Sequence, residues 1–250
     1  MPTEPPIALV PIAGYHPTTL LDWPGRLASI VFLPRCNFRC PFCHSEALLS
    51  DPKETIPLEA ILEHIASRRG WIDGVVICGG EPTVWPSLGA LAAAFRRAGL
   101  RVKLDTNGSR PDRLGQLLAA GLVDAIAMDL KAPLDERYDR AAGVPVDLEA
   151  IRRSIALVRG SGLEYEFRTT VCPALVAEEE VRAMGEAIAG AAAWVLQPFE
   201  PAHALDPALR KVEPYNPDRM ESLAAIGRAY VPCCRVRGQA GVQSASQGQP

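Results

Sequence analysis

The chain has 250 residues, 48% of them hydrophobic, so it can bury a substantial core and is long enough for one large domain. Its net charge of -3 offers no basic face for a phosphate backbone. The longest apolar stretch, Leu27 to Leu33, is far shorter than the roughly 20 residues of a membrane span.

Nucleic-acid binding and membrane insertion are therefore not expected. The opening MPTEPP is acidic and Pro-rich, unlike a signal peptide, which predicts a cytoplasmic protein with reduced thiols. Seven cysteines cannot all pair with one another, so metal binding or plain burial explains them better than disulfides.

Residues 1–26 read as an irregular, Pro-rich lead-in or small hairpin. Continuous apolar runs then predict strands at Leu27–Leu33, Gly74–Cys78, Arg101–Asp105, Ala125–Asp129, Glu164–Val171 and Trp194–Pro198. Between them, 3.6-residue periodicity predicts helices at Leu58–Arg69, Leu88–Ala98, Arg113–Ala120, Leu148–Arg159 and Glu178–Ala189. A helix at Asp218–Tyr230 and a last strand at Val231–Val236 complete the pattern. The tail 238–250 is Gly/Ser/Gln-rich and is expected to be disordered.

Repeated βα units imply a parallel sheet with right-handed crossovers. The expected architecture is α/β: a single domain over 1–237, folded as a partial, open, about six-unit TIM-like barrel. A doubly wound open sheet is the competing arrangement, which periodicity alone does not separate from it.

Directly after the first strand comes CNFRCPFC, which places Cys36, Cys40 and Cys43 in one loop. Soft thiolates so gathered suit an iron–sulfur cluster or zinc. With three thiolates, one iron of a four-iron cluster lacks a protein ligand and can bind another molecule. Zinc held by these cysteines and His44 is the alternative, although adjacent residues are awkward as two ligands of one ion. Cys78 and Cys172 read as small buried hydrophobes. In a strand, Cys233 and Cys234 should point opposite ways, one buried and one exposed.

Polar motifs recur at the carboxyl ends of successive strands: GGEP (Gly79–Pro82), DTNG (Asp105–Gly108), MDLK (Met128–Lys131), RTT (Arg168–Thr170) and QPF (Gln197–Phe199). Singly, each reads as a turn or a solvated loop; together they fall on the face where parallel barrels collect ligand-binding groups. The set suits a zwitterion. Gly79 and Gly80 permit close approach of backbone to a ligand, Glu81 can accept from an ammonium, and Lys131 can donate to a carboxylate. Asp105 and Asp129, if close and ionised, require a cation between them.

CNFRCPFC followed by GGEP resembles the paired signature of the radical S-adenosylmethionine (SAM) superfamily, with Phe42 at the usual aromatic position. With the lead-in from Gly14, DTNG and DLK, the chain is similar to glycyl-radical-enzyme activases, most of all those of anaerobic ribonucleotide reductase. The resemblance implies a 4Fe–4S cluster on Cys36, Cys40 and Cys43, with SAM chelating the fourth iron. It places Phe42 near the adenine, Gly79, Gly80 and Glu81 at the methionine ammonium, and Lys131 near the carboxylate. Asn107 is carried over as part of DTNG in the cofactor pocket. Asp105, Thr106, Met128 and Asp129 match residues that hold a monovalent cation in the pyruvate formate-lyase activating enzyme. Arg168 and Gln197 are inner-face contacts.

The implied reaction is reductive cleavage of SAM, after which the 5′-deoxyadenosyl radical takes a glycine Cα hydrogen from a partner glycyl-radical enzyme. A flavodoxin- or ferredoxin-type protein is the implied electron donor. A small-molecule enzyme resembling 7-carboxy-7-deazaguanine synthase is the second reading, and a non-catalytic zinc-binding module the third.

Overall fold

The computed structural model describes residues 10–68 and 70–238. Eight strands form one sheet in sequential order. They are β1 (Gly14–Thr19), β2 (Ala28–Leu33), β3 (Gly74–Gly79), β4 (Arg101–Thr106), β5 (Ala125–Asp129), β6 (Glu164–Val171), β7 (Trp194–Pro198) and β8 (Cys234–Val236). Pairing is parallel from β2 to β8, while β1 adds to β2 as an antiparallel edge. A sequential order has no point at which the winding reverses, which rules out the doubly wound sheet. The sheet curls but stays open, with β1 and β8 as its unjoined edges.

Each strand from β2 to β7 is followed by helix. These helices are α1 (Leu58–Ala66), α2 (Leu88–Arg97), α3 (Pro111–Ala119), the pair α4 (Arg137–Ala142) and α5 (Leu148–Gly160), α6 (Glu178–Ala187) and α7 (Pro217–Gly227). The six-unit expectation therefore matches the fold. In α2 the buried Leu88, Leu91, Ala92 and Phe95 form one stripe at helical spacing that faces the sheet. Central strands such as β3 are buried along most of their length because helices cover one face and the barrel interior the other.

Local differences from the sequence reading have physical causes. The lead-in does form a hairpin, with β1 as its first strand. α4 was not anticipated: six residues are under two turns, too few to show periodicity. The last strand is shorter than expected because Pro232 cannot donate to the ladder. α1 stops at Ala66, and Arg69 and the tail beyond Gly238 lie outside the described residues.

The hairpin loop between β1 and β2 turns inward. Trp23 is 1% exposed and packs on Ala28, Ile30, Val76 and Ala125 near the amino ends of β2, β3 and β5. Gly74 makes room for it, since a Cβ there would lie 2.7 Å from the indole. Trp23 thus plugs the floor of the barrel, opposite the strand ends that carry the polar motifs. Among the described residues no helix is long and apolar enough to cross a membrane.

Candidate active site

The cysteine loop is docked, not loose. Arg35, just before Cys36, has φ 65°, a left-handed conformation that is costly for a side-chain-bearing residue. The surroundings hold it there. Its carbonyl accepts from Glu81 N (2.8 Å), its guanidinium pairs with Asp51 through two hydrogen bonds, and it stacks over Trp85 at 4.9 Å. Trp85 Nε1 also donates to Pro34 O at 2.8 Å. Further along, Arg39 N donates to Ala142 O at the end of α4, and Leu205 N donates to Cys43 O. Three separate segments therefore fix the loop that carries the thiols.

The glycines of GGEP serve that docking. A Cβ on Gly79 would sit 2.3 Å from Leu33 O, and one on Gly80 would sit 2.1 Å from Arg35 O. Their bareness admits the backbone leading into the cysteine loop, a requirement separate from their place in the cavity lining. Gly80→Ala should cost about 3 kcal/mol, the upper end for overpacking, because its obstacle is backbone and cannot swing away. Urea unfolding measures it, and a variant as stable as the parent would refute the docking argument.

Glu81 carries structural contacts of its own. It is 0% exposed, and its carboxylate is already engaged. Oε1 accepts from Thr83 N, Thr83 Oγ1 and Thr106 Oγ1, and Oε2 accepts from Asn107 N at 2.6 Å. Burial raises its pKa although these hydrogen bonds oppose the rise. The side chain ties β3 to β4 and is held in the cavity wall, with three donors on Oε1 and one on Oε2. Glu81→Gln would turn an amide N–H toward one of these donors and should cost about 1–3 kcal/mol by thermal or urea unfolding. No loss would show that the four contacts do not matter.

Asp105 and Asp129 also find partners within the chain. Lys103 Nζ lies 2.7 Å from Asp105, Arg168 donates to the other Asp105 oxygen, and Lys131 Nζ lies 2.7 Å from Asp129. Each of the two aspartates is thus paired with cations of the protein. Thr106 Oγ1 is committed to Glu81, and the buried Met128 side chain packs against Gly108.

These ion pairs extend across the barrel interior. Arg168 also bonds Glu166, Glu166 bonds Arg235, Arg237 bonds Asp22 at 2.7 Å, and Lys103 Nζ donates to Asp22 O. Asp22 and Arg237 join the hairpin loop to the end of β8, spanning the open seam of the sheet. Arg168 and Lys103 outweigh burial, which alone would push the Asp105 carboxyl up, and hold it below its ordinary value.

One cavity of about 260 Å³ gathers most of the expected residues. Cys36, Cys40, Cys43 and Phe42 line it from the loop, together with Gly79, Gly80, Glu81, Asp105, Thr106, Asn107, Asp129, Lys131, Arg168 and Gln197 from the strand ends. Met128 is the exception, turned into the core. Lys131 Nζ also sits 5.8 Å from the Phe42 ring centroid, and Asp129 keeps the ammonium protonated against the pull of burial. Asp22, Thr170, His44, Cys78 and Arg237 line the cavity too. Cys78 corrects an expectation, for it is half-buried in this wall and not part of the core. Cys172 is fully buried just past β6, and Cys233 is exposed while Cys234 is buried, the expected division, although Cys233 lies in the turn before β8 and not in the strand.

The three thiols face one cavity, yet among the described residues no three His, Cys, Asp or Glu side chains converge as a preformed metal site. Burial pushes the Cys36 thiol up to about 12 and raises Cys40 as well, so both are neutral near pH 7 until a metal displaces the proton. Cys36 Sγ meanwhile accepts from Phe38 N. Three soft donors on one fixed loop, with an open cavity beside them, fit a metal centre that leaves room for a second ligand.

Residues 30–187 match the Radical SAM superfamily. The chain belongs to this superfamily. Membership implies a 4Fe–4S cluster and SAM as cofactors, in keeping with a thiol-lined cavity whose far wall carries paired charges. The radical SAM chain is 28% identical over 225 residues to a protein of Methanocaldococcus jannaschii whose name provisionally assigns it as a glycyl-radical enzyme activating enzyme. That match covers 88% of this chain and 92% of its relative. A 7-carboxy-7-deazaguanine synthase of Hyperthermus butylicus is 37% identical over 89 residues, 35% of this chain and 37% of the synthase. Among solved structures, a domain of the pyruvate-formate lyase-activating enzyme from Bacteroides vulgatus superposes with a TM-score of 0.54 at 19% identity. It covers 66% of this chain and 99% of that domain, a likeness of fold.

Proposed function

We propose that the chain is a glycyl-radical-enzyme activase, with anaerobic ribonucleotide reductase as its partner. The observation that carries this reading is the reach of the match to the methanocaldococcal relative, which covers about nine-tenths of both chains, 88% and 92%. Likeness to the deazaguanine synthase is confined to about a third of each chain, so it reflects shared radical chemistry more than shared substrate. The compact barrel also supports a protein substrate, because the cavity opens beside the cysteine loop without a covering domain among the described residues.

In this reading Cys36, Cys40 and Cys43 would hold a 4Fe–4S cluster. Bound together, the cluster and SAM supply a carbon radical able to take a hydrogen atom. The chain's own residues prepare the pocket for that step. Lys131, locked by Asp129 and lying over Phe42, presents a fixed cation suited to the SAM carboxylate. The bare backbone of Gly79 and Gly80 lines the opposite wall. Glu81 positions Asn107 and Thr106 in the cavity wall. Trp23 shuts the floor against water.

The test is anaerobic reconstitution followed by mixing with the organism's own candidate glycyl-radical enzyme. Cleavage of SAM to 5′-deoxyadenosine and a glycyl doublet by electron paramagnetic resonance are expected. Cleavage without a doublet, accompanied by formation of 7-carboxy-7-deazaguanine, would overturn the activase reading in favour of the synthase-like one.

A further inference from the structure

A second groove, of about 570 Å³, lies on the outer side of the cysteine loop. Asn37 and Phe38 form one wall, and Ser109, Arg110, Arg113 and Arg153 lie across it. Phe38 lines both this groove and the cavity and is 3% exposed, so a single aromatic side chain separates the two. The partition is stiff. Asn37 Nδ2 donates to Ser109 Oγ at 2.8 Å, and Asn107 Nδ2 donates to Asn37 Oδ1 at 3.0 Å.

We propose that this groove is the docking surface for an acidic protein that carries single electrons. Charge favours such a partner. Asp112 is paired with Arg153, and the Asp147 carboxylate accepts from Glu149 N and Ala150 N at the start of α5. Among the described residues, Arg110 and Arg113 have no carboxylate within ion-pair distance, and neither has the neighbouring exposed Arg39. Arg39 instead donates to the carbonyls of Cys36 and Phe38. The groove lining carries three arginines against the two aspartates Asp112 and Asp147, and with Arg39 beside it this local excess of positive charge would steer a carboxylate-rich surface to it.

The partition selects what can cross. A substrate docked in the groove could not present a C–H bond to the cavity through the Phe38 ring, whereas an electron can pass that thickness. The transfer is simple in balance: the reduced carrier loses one electron, the cluster gains it, and no atom or proton needs to move between the proteins. The proposal rests on the radical SAM reading of the cavity, which supplies the acceptor.

The experiment compares the reconstituted full chain with Arg110→Gln and with Arg110→Glu/Arg113→Glu, using a purified acidic flavodoxin as probe. Binding of the oxidised flavodoxin, followed by calorimetry at low and high salt, does not depend on catalysis. The double variant should weaken it about tenfold or more and flatten its salt dependence, with the single variant intermediate. Reduction of the cluster by reduced flavodoxin, followed by its absorbance, should slow in parallel, while reduction by dithionite stays unchanged. Equal binding and equal flavodoxin-driven reduction in all three proteins would overturn the proposal. So would variants that lose glycyl-radical transfer to the partner enzyme while reduction proceeds normally. Failure of dithionite to drive SAM cleavage in the parent would fault the radical reading alone, and flavodoxin binding would still decide the groove.

Discussion

Cys36→Ala, Cys40→Ala and Cys43→Ala, each reconstituted anaerobically with iron and sulfide, should retain iron only at background level and cleave no SAM. The folded chain should survive the change. Cys36 and Cys43 are half-buried, and the one hydrogen bond lost at Cys36, from Phe38 N, is worth about 1 kcal/mol. The loop keeps its other supports, from Glu81 N on Arg35 O to Leu205 N on Cys43 O. Iron analysis and a circular dichroism melt separate the two effects. An alanine variant with full iron and normal cleavage would remove that cysteine from the metal site. His44→Ala tests the zinc alternative in the same assay, since a fourth ligand at His44 would make its loss as damaging as that of a cysteine.

The largest loss of stability is expected from Asp105→Asn. Lys103 and Arg168 are 3% and 6% exposed, and removing their shared carboxylate leaves two buried cations with one partner fewer. Breaking such a network costs about 3–5 kcal/mol, a large share of the stability of a domain. The variant should also differ in its response to acid. Because the folded chain holds the Asp105 carboxyl below its ordinary value, its stabilising effect is complete above the unfolded pKa of about 3.9. That effect is lost as pH falls through the lower folded value. The gap between parent and variant should therefore be constant at neutral pH and close in strong acid. Urea unfolding from neutral pH to pH 2 measures both. A gap below about 1 kcal/mol at neutral pH would show that Arg168 and Lys103 are satisfied elsewhere.

What the sequence reveals and hides follows from the reach of each interaction. Strands such as 74–79 and 125–129 declare themselves by composition, because burial on both faces demands an apolar run. The cysteine loop is legible because its donors are adjacent in the chain. α4 is invisible by periodicity, yet its end holds Arg39 N. The part that pairing across the barrel builds was also missed: Asp22, Cys78 and Arg237 join the cavity only when distant strands meet. A signal was present. Lys103 and Asp105, Glu166 and Arg168, and Arg235 and Arg237 are charged residues two apart on strands of a covered parallel sheet, Arg237 one position past the end of β8. A period of two points both members of each pair to the same face, and charges so placed in a buried strand have to meet one another or a ligand. The same omission hid the contacts of Glu81, because its four donors lie on its own turn and at the end of the next strand.

The Asp22–Arg237 pair joins residues 215 positions apart. During synthesis at about 5–20 residues per second, the carboxylate at the hairpin would wait roughly 10–40 s for its guanidinium to leave the ribosome. The contacts that seat the cysteine loop on residues 80–85 are available far sooner. The nascent chain can thus assemble its thiol loop while the seam still stands open, and a chain cut short before Arg237 would be born with that seam unlatched.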